Sequence, residues 1–166
     1  MIVQLKHRIF TYEDDSGSAA IGHPKLRALY ELWDQRRGTR QAPPRGDFTL
    51  DDLRPWFGHL MIIDRLPDED FRYRLYGTEL VRLFGFDLTG QSVGDVLLYI
   101  GDKPRREYQQ VCRIGAPVHA SRVSPSAREH LQIDKLALPL MEGGEVTKIL
   151  SALYLSEPLP TAEAGE

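Results

Sequence analysis

The chain contains few side chains whose types and spacing would support catalysis or metal binding. His119 and His130 fall in two neighbouring β-rich runs and could meet across a hairpin, but two histidines without a nearby cysteine or carboxylate set are a weak metal signature. The sequence holds no Gly-x-Ser-x-Gly elbow, no phosphate-binding glycine loop and no His-Glu-x-x-His pair. We therefore predict no metal site and no catalytic residues, and an enzyme is the least favoured function.

A tyrosine and a carboxylate in one predicted hairpin give a more specific hypothesis. LMIIDRL and FRYRLY are β-rich runs separated by the turn PDED. A hairpin centred on that turn places Ile62 opposite Leu75 and Asp64 opposite Tyr73. Strand alternation then puts Leu75 on the inward face with Tyr73, and Tyr76 on the outward face. Asp64 and Tyr73 would bring polar atoms to an apolar cavity, where either a ligand or the two groups themselves would satisfy the hydrogen bonds.

The residues after this hairpin extend the same hypothesis. GTELVRLFG predicts a short helix that ends at Gly85, with Leu83 and Phe84 on its apolar stripe. The predicted ligand pocket comprises Ile62, Asp64, Tyr73, Leu75, Leu83, Phe84 and Leu138. The competing interpretation is that these side chains only fill the core, as aromatic and leucine stripes usually do.

The run REHLQIDKLALPL supplies Leu138 and leaves two interpretations open. His130, Gln132 and Asp134 share an alternating face with Leu138, and a polar cluster beside an apolar one could form the mouth of a pocket. Alternatively, this end of the strand is solvated, and a bulge near Asp134 turns Ile133 inward instead.

The order of predicted elements is a helix, a hairpin, several short helices and three strands. This order indicates an α+β fold with five antiparallel strands and helices on one face. HPKLRALYELWDQRRG predicts the first helix, with Pro24 in its first turn and Gly38 after its end. The last strand, TKILSALYL, is apolar on both alternating faces and must therefore be covered on both. The first helix, or a second subunit, would cover the face that the short helices leave open.

One face of this first helix is a candidate interface. Leu26, Tyr30 and Trp33 lie on it at helical spacing, and polar side chains lie on the other face. Such a helix favours a hydrophobic partner surface, so we predict a dimer interface at these three residues. The competing interpretation is that they pack on the chain's own sheet, and both can hold in a dimer.

Composition limits the class of protein. The 166 residues are 42% hydrophobic and 27% charged, with a net charge of −3, which is typical of one soluble domain. We predict this domain at residues 23–156, between a flexible arm at 1–22 and a tail at 157–166. The small net charge argues against non-specific nucleic-acid binding, and the lone Cys112 fits a reducing compartment. No apolar run approaches the roughly 20 residues needed to span a bilayer, so we expect a cytoplasmic protein without membrane contact.

Three stretches carry a resemblance to a known family. FRYRLYGTELVRLFGFDLTG, LALPL and the upstream ELWDQRRG…APPRGDF resemble a stand-alone bacterial PAS-domain family long catalogued as a domain of unknown function. The resemblance covers roughly residues 24–156. It implies a sensory module that holds a small ligand between the sheet and the helices, or that uses the fold only as a docking surface. It also implies a homodimer that signals through a separate protein, because the chain has no room for an output domain.

The marks of two familiar PAS cofactors are missing from their expected places. Blue-light flavin PAS domains resemble one another in a reactive cysteine on the helix after the hairpin, and residues 77–90 contain none. Haem-binding PAS domains usually supply an axial histidine from the long helix, and residues 102–115 contain none. Flavin photochemistry and haem are therefore disfavoured and the ligand is unknown. A ligand-free docking protein is the alternative to a small-molecule sensor.

Overall fold

The computed structural model describes residues 8–124 and 131–156, which form a six-stranded mixed sheet with helices on both faces. The strands are β1 (Phe10–Thr11), β2 (Leu60–Arg65), β3 (Phe71–Tyr76), β4 (Val118–Ser124), β5 (Leu131–Glu142) and β6 (Glu145–Leu155). The helices are α1 (Pro24–Arg37), α2 (Leu50–Leu53), α3 (Thr78–Phe84), α4 (Leu97–Ile100) and α5 (Lys103–Ile114). Three short 3₁₀ turns lie at Arg45–Asp47, Arg54–Trp56 and Gly94–Val96. Within the described ranges, none of the helices has the length and apolarity needed to cross a bilayer.

The strands are arranged in the order β1-β4-β5-β6-β2-β3. Every neighbouring pair is antiparallel except β1 and β4, which are parallel. The five predicted strands correspond to β2–β6, but the prediction missed the sixth strand, because a short strand from the N-terminal segment adds in parallel to the free edge of β4. Helix α5 holds this segment in place: Gln110 donates to the Thr11 carbonyl at 3.2 Å, and Arg113 pairs with Asp15 at 2.8 Å.

Helix α1 lies across the face of the sheet that α3–α5 leave open. It begins at Pro24, whose fixed φ suits a first turn, and ends before Gly38, whose φ of 59° is left-handed. Trp33 has no exposed surface, and its indole Nε1 donates to the Pro139 carbonyl of β5 at 2.8 Å. The helix is therefore fixed to the sheet by both apolar packing and a buried hydrogen bond.

The sheet separates two hydrophobic cores. Tyr108 and Val111 of α5 pack on one face with Ile149 of β6, and Leu29 of α1 packs on the other face with Leu150 of β6. The two-sided apolar pattern of the last strand correctly indicated that both faces of β6 are covered. Strand β6 is therefore an interior strand, with β5 and β2 on its two sides and a core on each of its faces.

The hairpin of β2 and β3 contains a β-bulge at Arg74. Ile62 lies opposite Leu75, as predicted, but Ile63 lies opposite Tyr73, so Arg74 is an additional residue in β3. An additional residue shifts the alternation of side chains for everything that follows it in the strand.

This bulge decides which side chains face α3–α5. Phe71, Tyr73 and Tyr76 all lie in the core on that side, whereas Leu75 packs on the α1 side. The prediction that Leu75 shares a face with Tyr73, and that Tyr76 faces outward, was wrong because it assumed unbroken alternation.

The turn from β3 into α3 is unusually tight at Gly77. Its amide donates to the Leu60 carbonyl at 2.9 Å, and a Cβ atom at this position would lie 2.1 Å from the Gly58 carbonyl oxygen. No side chain fits there, so glycine allows α3 to start directly at the end of β3. Helix α3 consequently covers the face of the sheet on which Tyr73 and Tyr76 lie.

Candidate functional site

A cavity of about 240 Å³ lies between the sheet and the segment that runs from α3 to the start of α5. Apolar and aromatic side chains from four strands form most of its floor: Met61, Tyr73, Tyr76, Ile133 and Leu153. Its roof is formed by Phe84, Phe86, Leu88, Ile100 and Pro104. Such a concave, mostly apolar space with a few polar groups is the usual form of a small-molecule site.

Residues 71–90 supply a large share of this wall. Tyr73 and Tyr76 reach it because the bulge puts both rings on the same face, where they meet edge-on with centroids 5.5 Å apart. Phe84 closes α3, and Phe86 and Leu88 follow it in the loop. The strand, the tight turn and the short helix therefore form both sides of one pocket.

Three charged side chains meet at one side of the cavity. Glu107 of α5 is fully buried, and its Oε2 accepts a hydrogen bond from Arg122 of β4 at 2.8 Å. Lys135 of β5 is 2% exposed, and its Nζ lies 3.3 Å from the Glu107 Oε1. That second contact is an ion pair and not a hydrogen bond, since Oε1 has no hydrogen-bond partner among the described residues. Arg122 and Lys135 both line the cavity.

Two tyrosines continue this polar cluster. The Lys135 ammonium donates to the Tyr108 hydroxyl at 2.6 Å and lies 4.3 Å from the centroid of the Tyr108 ring. The Tyr108 and Tyr73 hydroxyls are 3.0 Å apart and share one hydrogen bond. The cluster therefore runs from the buried side of helix α5 to the hydroxyl of a cavity-lining residue.

Burial changes the protonation behaviour of these groups. It lowers the pKa of Lys135 to about 8, against the opposing attraction of Glu107, so the ammonium form still predominates at pH 7. Burial raises the pKa of both Tyr73 and Tyr108 far above the usual value for tyrosine, so both remain neutral hydroxyls. Burial alone would lower the pKa of Arg122, but the Glu107 carboxylate holds it above its usual value.

A model of the PAS domain family matches residues 21–154, which is most of the chain. The chain belongs to the PAS domain family. The resemblance seen in residues 71–90 is thereby confirmed. PAS domains are in general sensory and signalling modules, not enzymes.

Solved structures similar to this PAS domain include two light-oxygen-voltage domains. One was studied with a flavin analogue for its mechanism; it is 12% identical, with a TM-score of 0.49 over 65% of this chain and 84% of that one. The other is the light-state structure of the blue-light photoreceptor Aureochrome1 LOV, which is 10% identical, with a TM-score of 0.45 over 66% of this chain and 90% of that one. No curated protein matches the chain.

The predicted pocket residues of this PAS domain are divided between its two faces. Tyr73 and Phe84 line the cavity. Ile62, Leu75 and Leu138 belong to the opposite core, under α1. Leu75 was misplaced because the bulge changes which face of the sheet the side chains after Arg74 occupy. Ile62 and Leu138 were misplaced because β2 and β5 are apolar on both faces, and the opposite face of each strand borders the cavity.

The remaining two predicted pocket residues also lie away from the cavity lining. Leu83 is half-buried on α3 and does not line the cavity. Asp64 lies opposite Arg72 and not opposite Tyr73, because of the bulge. Its carboxylate accepts from Lys148 at 2.6 Å and Arg74 at 2.8 Å, and these bonds lower its pKa although burial alone would raise it. The proposed pairing of Asp64 with Tyr73 was therefore wrong.

The side chains of β5 alternate regularly through Asp134, the position near which one interpretation of the sequence placed a bulge. Ile133 and Lys135 face the cavity, whereas Asp134 lies on the other face, and its carboxylate is 3.7 Å from His119 Nε2. The register of β5 with β6 shifts only near Leu140, so Ile133 turns inward without a bulge at Asp134. Gln132 is exposed, and His130 lies outside the described residues. The described ranges contain no group of three potential metal-ligating His, Cys, Asp or Glu side chains.

Two of the predicted interface residues are buried within the chain. Leu26 and Trp33 have no exposed surface, because both pack against the sheet beneath α1. Tyr30 is half-buried, and its ring lies 6.0 Å from that of Trp33. Of the three, Tyr30 alone retains surface that a second subunit could contact, and the dimer stays a prediction.

Sequence reasoning missed the charged members of the site. A lysine within a strand and a glutamate within RREYQQ are usually solvent-facing, so the sequence pattern does not predict Lys135 or Glu107 as site residues. The signal that could have found Lys135 was strand alternation. Lys135 shares a face of β5 with Ile133 and Ala137, opposite to the face of Leu138.

Proposed function

We propose that this PAS domain is a sensory module that binds a small molecule in the cavity between the sheet and α3–α5. One observation carries the proposal: a mostly apolar cavity of about 240 Å³ has two buried polar side chains, Tyr73 and Lys135, in its lining. A polar group buried at a cavity wall requires a hydrogen-bond partner, and a ligand can provide one.

We further propose that the bound state is relayed by protein contact. Helix α4 carries Leu98 and Tyr99, which are 99% and 64% exposed, directly before the cavity-lining Ile100. Exposed apolar side chains beside a ligand cavity support a relay through a neighbouring protein, because a change in the roof also changes this surface.

The decisive experiment is to look for a ligand in the protein as purified. Native and denaturing mass spectra of the same sample are compared, and thermal unfolding is followed with and without the released compound. A ligand that binds only the folded state raises the melting temperature. The cavity-filling variant Ile133→Phe should abolish retention of the compound. Val123→Phe, at a 46% exposed position in β4, is the matched control and should retain it.

Failure of this experiment has a clear meaning. If the wild-type protein and Ile133→Phe carry the same compounds, or if neither carries or binds any, the cavity is not a ligand site. The ligand-free docking protein would then be the better account of the fold.

Homodimerisation is part of the same proposal. Light scattering on the wild-type chain, Tyr30→Glu and Leu98→Glu tests it, since these positions lie on α1 and α4 respectively. A dimer that dissociates with Tyr30→Glu and not with Leu98→Glu supports an interface on α1. A monomeric wild-type protein at high concentration contradicts it.

A further inference from the structure

The buried wall of the cavity has more positive than negative charge. Glu107 contributes one carboxylate, whereas Arg122 and Lys135 contribute two cations, and all three lie within 3.3 Å of a partner in this cluster. At the rim, Asp102 lines the opening but is exposed and pairs with Arg106 at 2.8 Å, and the neighbouring Lys103 is exposed as well. One buried cation is therefore not balanced by an anion among the described residues.

The unbalanced cation is available to a ligand at Lys135. A lysine ammonium has three N–H donors. Among the described residues, this one makes a hydrogen bond to Tyr108 and an ion pair with Glu107, so at least one donor is unused. Arg122 is more completely engaged, because it donates to Glu107 and its guanidinium lies over the Tyr12 ring at 5.6 Å.

The hydroxyl groups of Tyr73 and Tyr108 leave a second hydrogen-bond donor without an acceptor among the described residues. Since Lys135 donates to the Tyr108 hydroxyl, that hydroxyl's own proton can bond to Tyr73. The Tyr73 proton then has no acceptor among the described residues, and Tyr73 lines the cavity. If the proton between the two rings instead belongs to Tyr73, the Tyr108 proton lacks an acceptor. In the first arrangement, the unused hydroxyl donor belongs to Tyr73, which lines the cavity together with the unused ammonium donor of Lys135.

The rest of the cavity sets the size and polarity of the ligand. Phe84, Leu88 and Leu153 offer only apolar contact. An apolar cavity of about 150 Å³ is known to accommodate benzene. The cavity of about 240 Å³ therefore has room for one ring or a short chain together with a polar head group.

Building on the proposed function, we propose that the cavity takes a small apolar carboxylic acid as its anion. Its carboxylate binds Lys135 and accepts from the Tyr73–Tyr108 hydroxyl pair, and its ring or chain packs against the apolar floor and roof. A single negative charge neutralises the one buried cation that is unbalanced among the described residues, whereas Lys103, which also lines the cavity, is exposed at its rim. Burial of a charge is favourable only when it is paired and hydrogen-bonded, and here the protein and the ligand satisfy one another.

Matched probes of one shape and different charge test this inference. Phenylacetate, phenylacetamide and 2-phenylethylamine are titrated into the full chain by calorimetry at pH 7, with butanoate to octanoate as a chain-length series. We expect the carboxylate to bind at least tenfold more tightly than the amide, and the amine not to bind. Lys135→Met removes the unbalanced cation and leaves the Glu107–Arg122 pair intact. It should lower phenylacetate affinity at least tenfold and leave phenylacetamide affinity unchanged.

Glu107→Gln should change the affinity in the opposite direction, so the test does not depend on Lys135→Met alone. Thermal melts first establish that each variant is folded at the titration temperature, which matters most for Glu107→Gln. This substitution removes the compensating anion and should raise phenylacetate affinity. Equal binding of amide and carboxylate, or phenylacetate affinity unaffected by Lys135→Met, overturns the inference. If neutral probes bind and Ile133→Phe blocks them, the cavity still functions as a ligand site and only its ligand class is wrong. If no probe of any charge binds, both proposals fail.

Discussion

Glu107 and Arg122 form an ion pair at 2.8 Å in which the carboxylate has no exposed surface. The pair connects α5 to β4. An ion pair therefore links the helix that covers one end of the cavity to the sheet beneath the cavity. A buried pair of this kind contributes little net stability by itself, but the loss of one partner leaves an uncompensated charge. Lys135 is the third member of this cluster, and it makes the effect of each substitution predictable in sign.

The first prediction concerns this charge balance. Glu107→Gln leaves two buried cations without an anion, and we expect it to lower the free energy of unfolding by about 3–5 kcal/mol. Lys135→Met leaves one balanced pair, and we expect stability equal to or above that of the wild type. Urea unfolding at pH 7 measures both. Glu79→Gln, in a surface pair with Arg82, is the control and should change stability by less than about 1 kcal/mol.

The second prediction is a pH dependence that belongs to Lys135. Its pKa is lowered to about 8 in the folded protein from a usual 10.5, so the unfolded chain binds more protons between these values. Stability should therefore rise with pH from about 8 to 10.5, by on the order of 3 kcal/mol. The penalty is fully present below pH 8, where the ammonium is buried in its charged form beside Glu107, Arg122 and Tyr108.

The measurement is the difference in unfolding free energy between the wild type and Lys135→Met across pH 7–10.5. Taking the difference removes the contributions that the buried tyrosines and Cys112 make to both proteins in this range. A difference that stays constant across the range would show that Lys135 titrates normally.

The third prediction concerns the turn between β3 and α3. Gly77→Ala would place a Cβ atom 2.1 Å from the Gly58 carbonyl oxygen, which is backbone and cannot rotate away. We expect a loss of at least about 2 kcal/mol in unfolding free energy, because α3 must move to relieve the contact. Gly46→Ala is the matched control, since its Cβ would meet no atom within 4 Å. Similar stability of the two variants in thermal melts would contradict this account of the turn.

The fourth prediction separates the two faces of the sheet. Trp33→Phe removes the donor to the Pro139 carbonyl on the α1 side, and we expect a loss of about 1–3 kcal/mol. Any cavity ligand should bind with unchanged affinity, because Trp33 belongs to the other core. Urea unfolding and calorimetry on the same variant test the two halves. Tyr99→Phe, at an exposed position, is the stability control.

Local chemistry made much of the architecture predictable. Pro24 and Gly38 mark the two ends of α1, PDED forms the turn of the hairpin, and the doubly apolar β6 lies between two cores. Each of these features is determined by residues that are close together in the sequence, so a local pattern predicts it. The family resemblance was predictable for the same reason, because the most specific of the three stretches that carry it is one continuous block at 71–90.

The contents of the site depended on features that leave little local mark. No sequence pattern near Arg74 predicts a bulge. The predicted pairing of Asp64 with Tyr73 assumed regular alternation of side chains along β3, and the bulge interrupts that alternation. The partners Glu107 and Lys135 are 28 positions apart in sequence order, and only the fold brings them within 3.3 Å. Strand β1 adds to a sheet edge through two residues, too few to produce a recognisable pattern.

The additional residue at Arg74 also determines how this chain can be aligned with its relatives. Before Arg74, the side chains at 71 and 73 face the cavity side; after it, the side chain at 76 does. A position-by-position alignment with a PAS domain that lacks the bulge would equate Tyr76 with an outward-facing residue and Leu75 with a pocket residue. A one-residue gap placed at Arg74 restores the correspondence. Binding preferences transferred along this strand without that gap would be assigned to the wrong side chains.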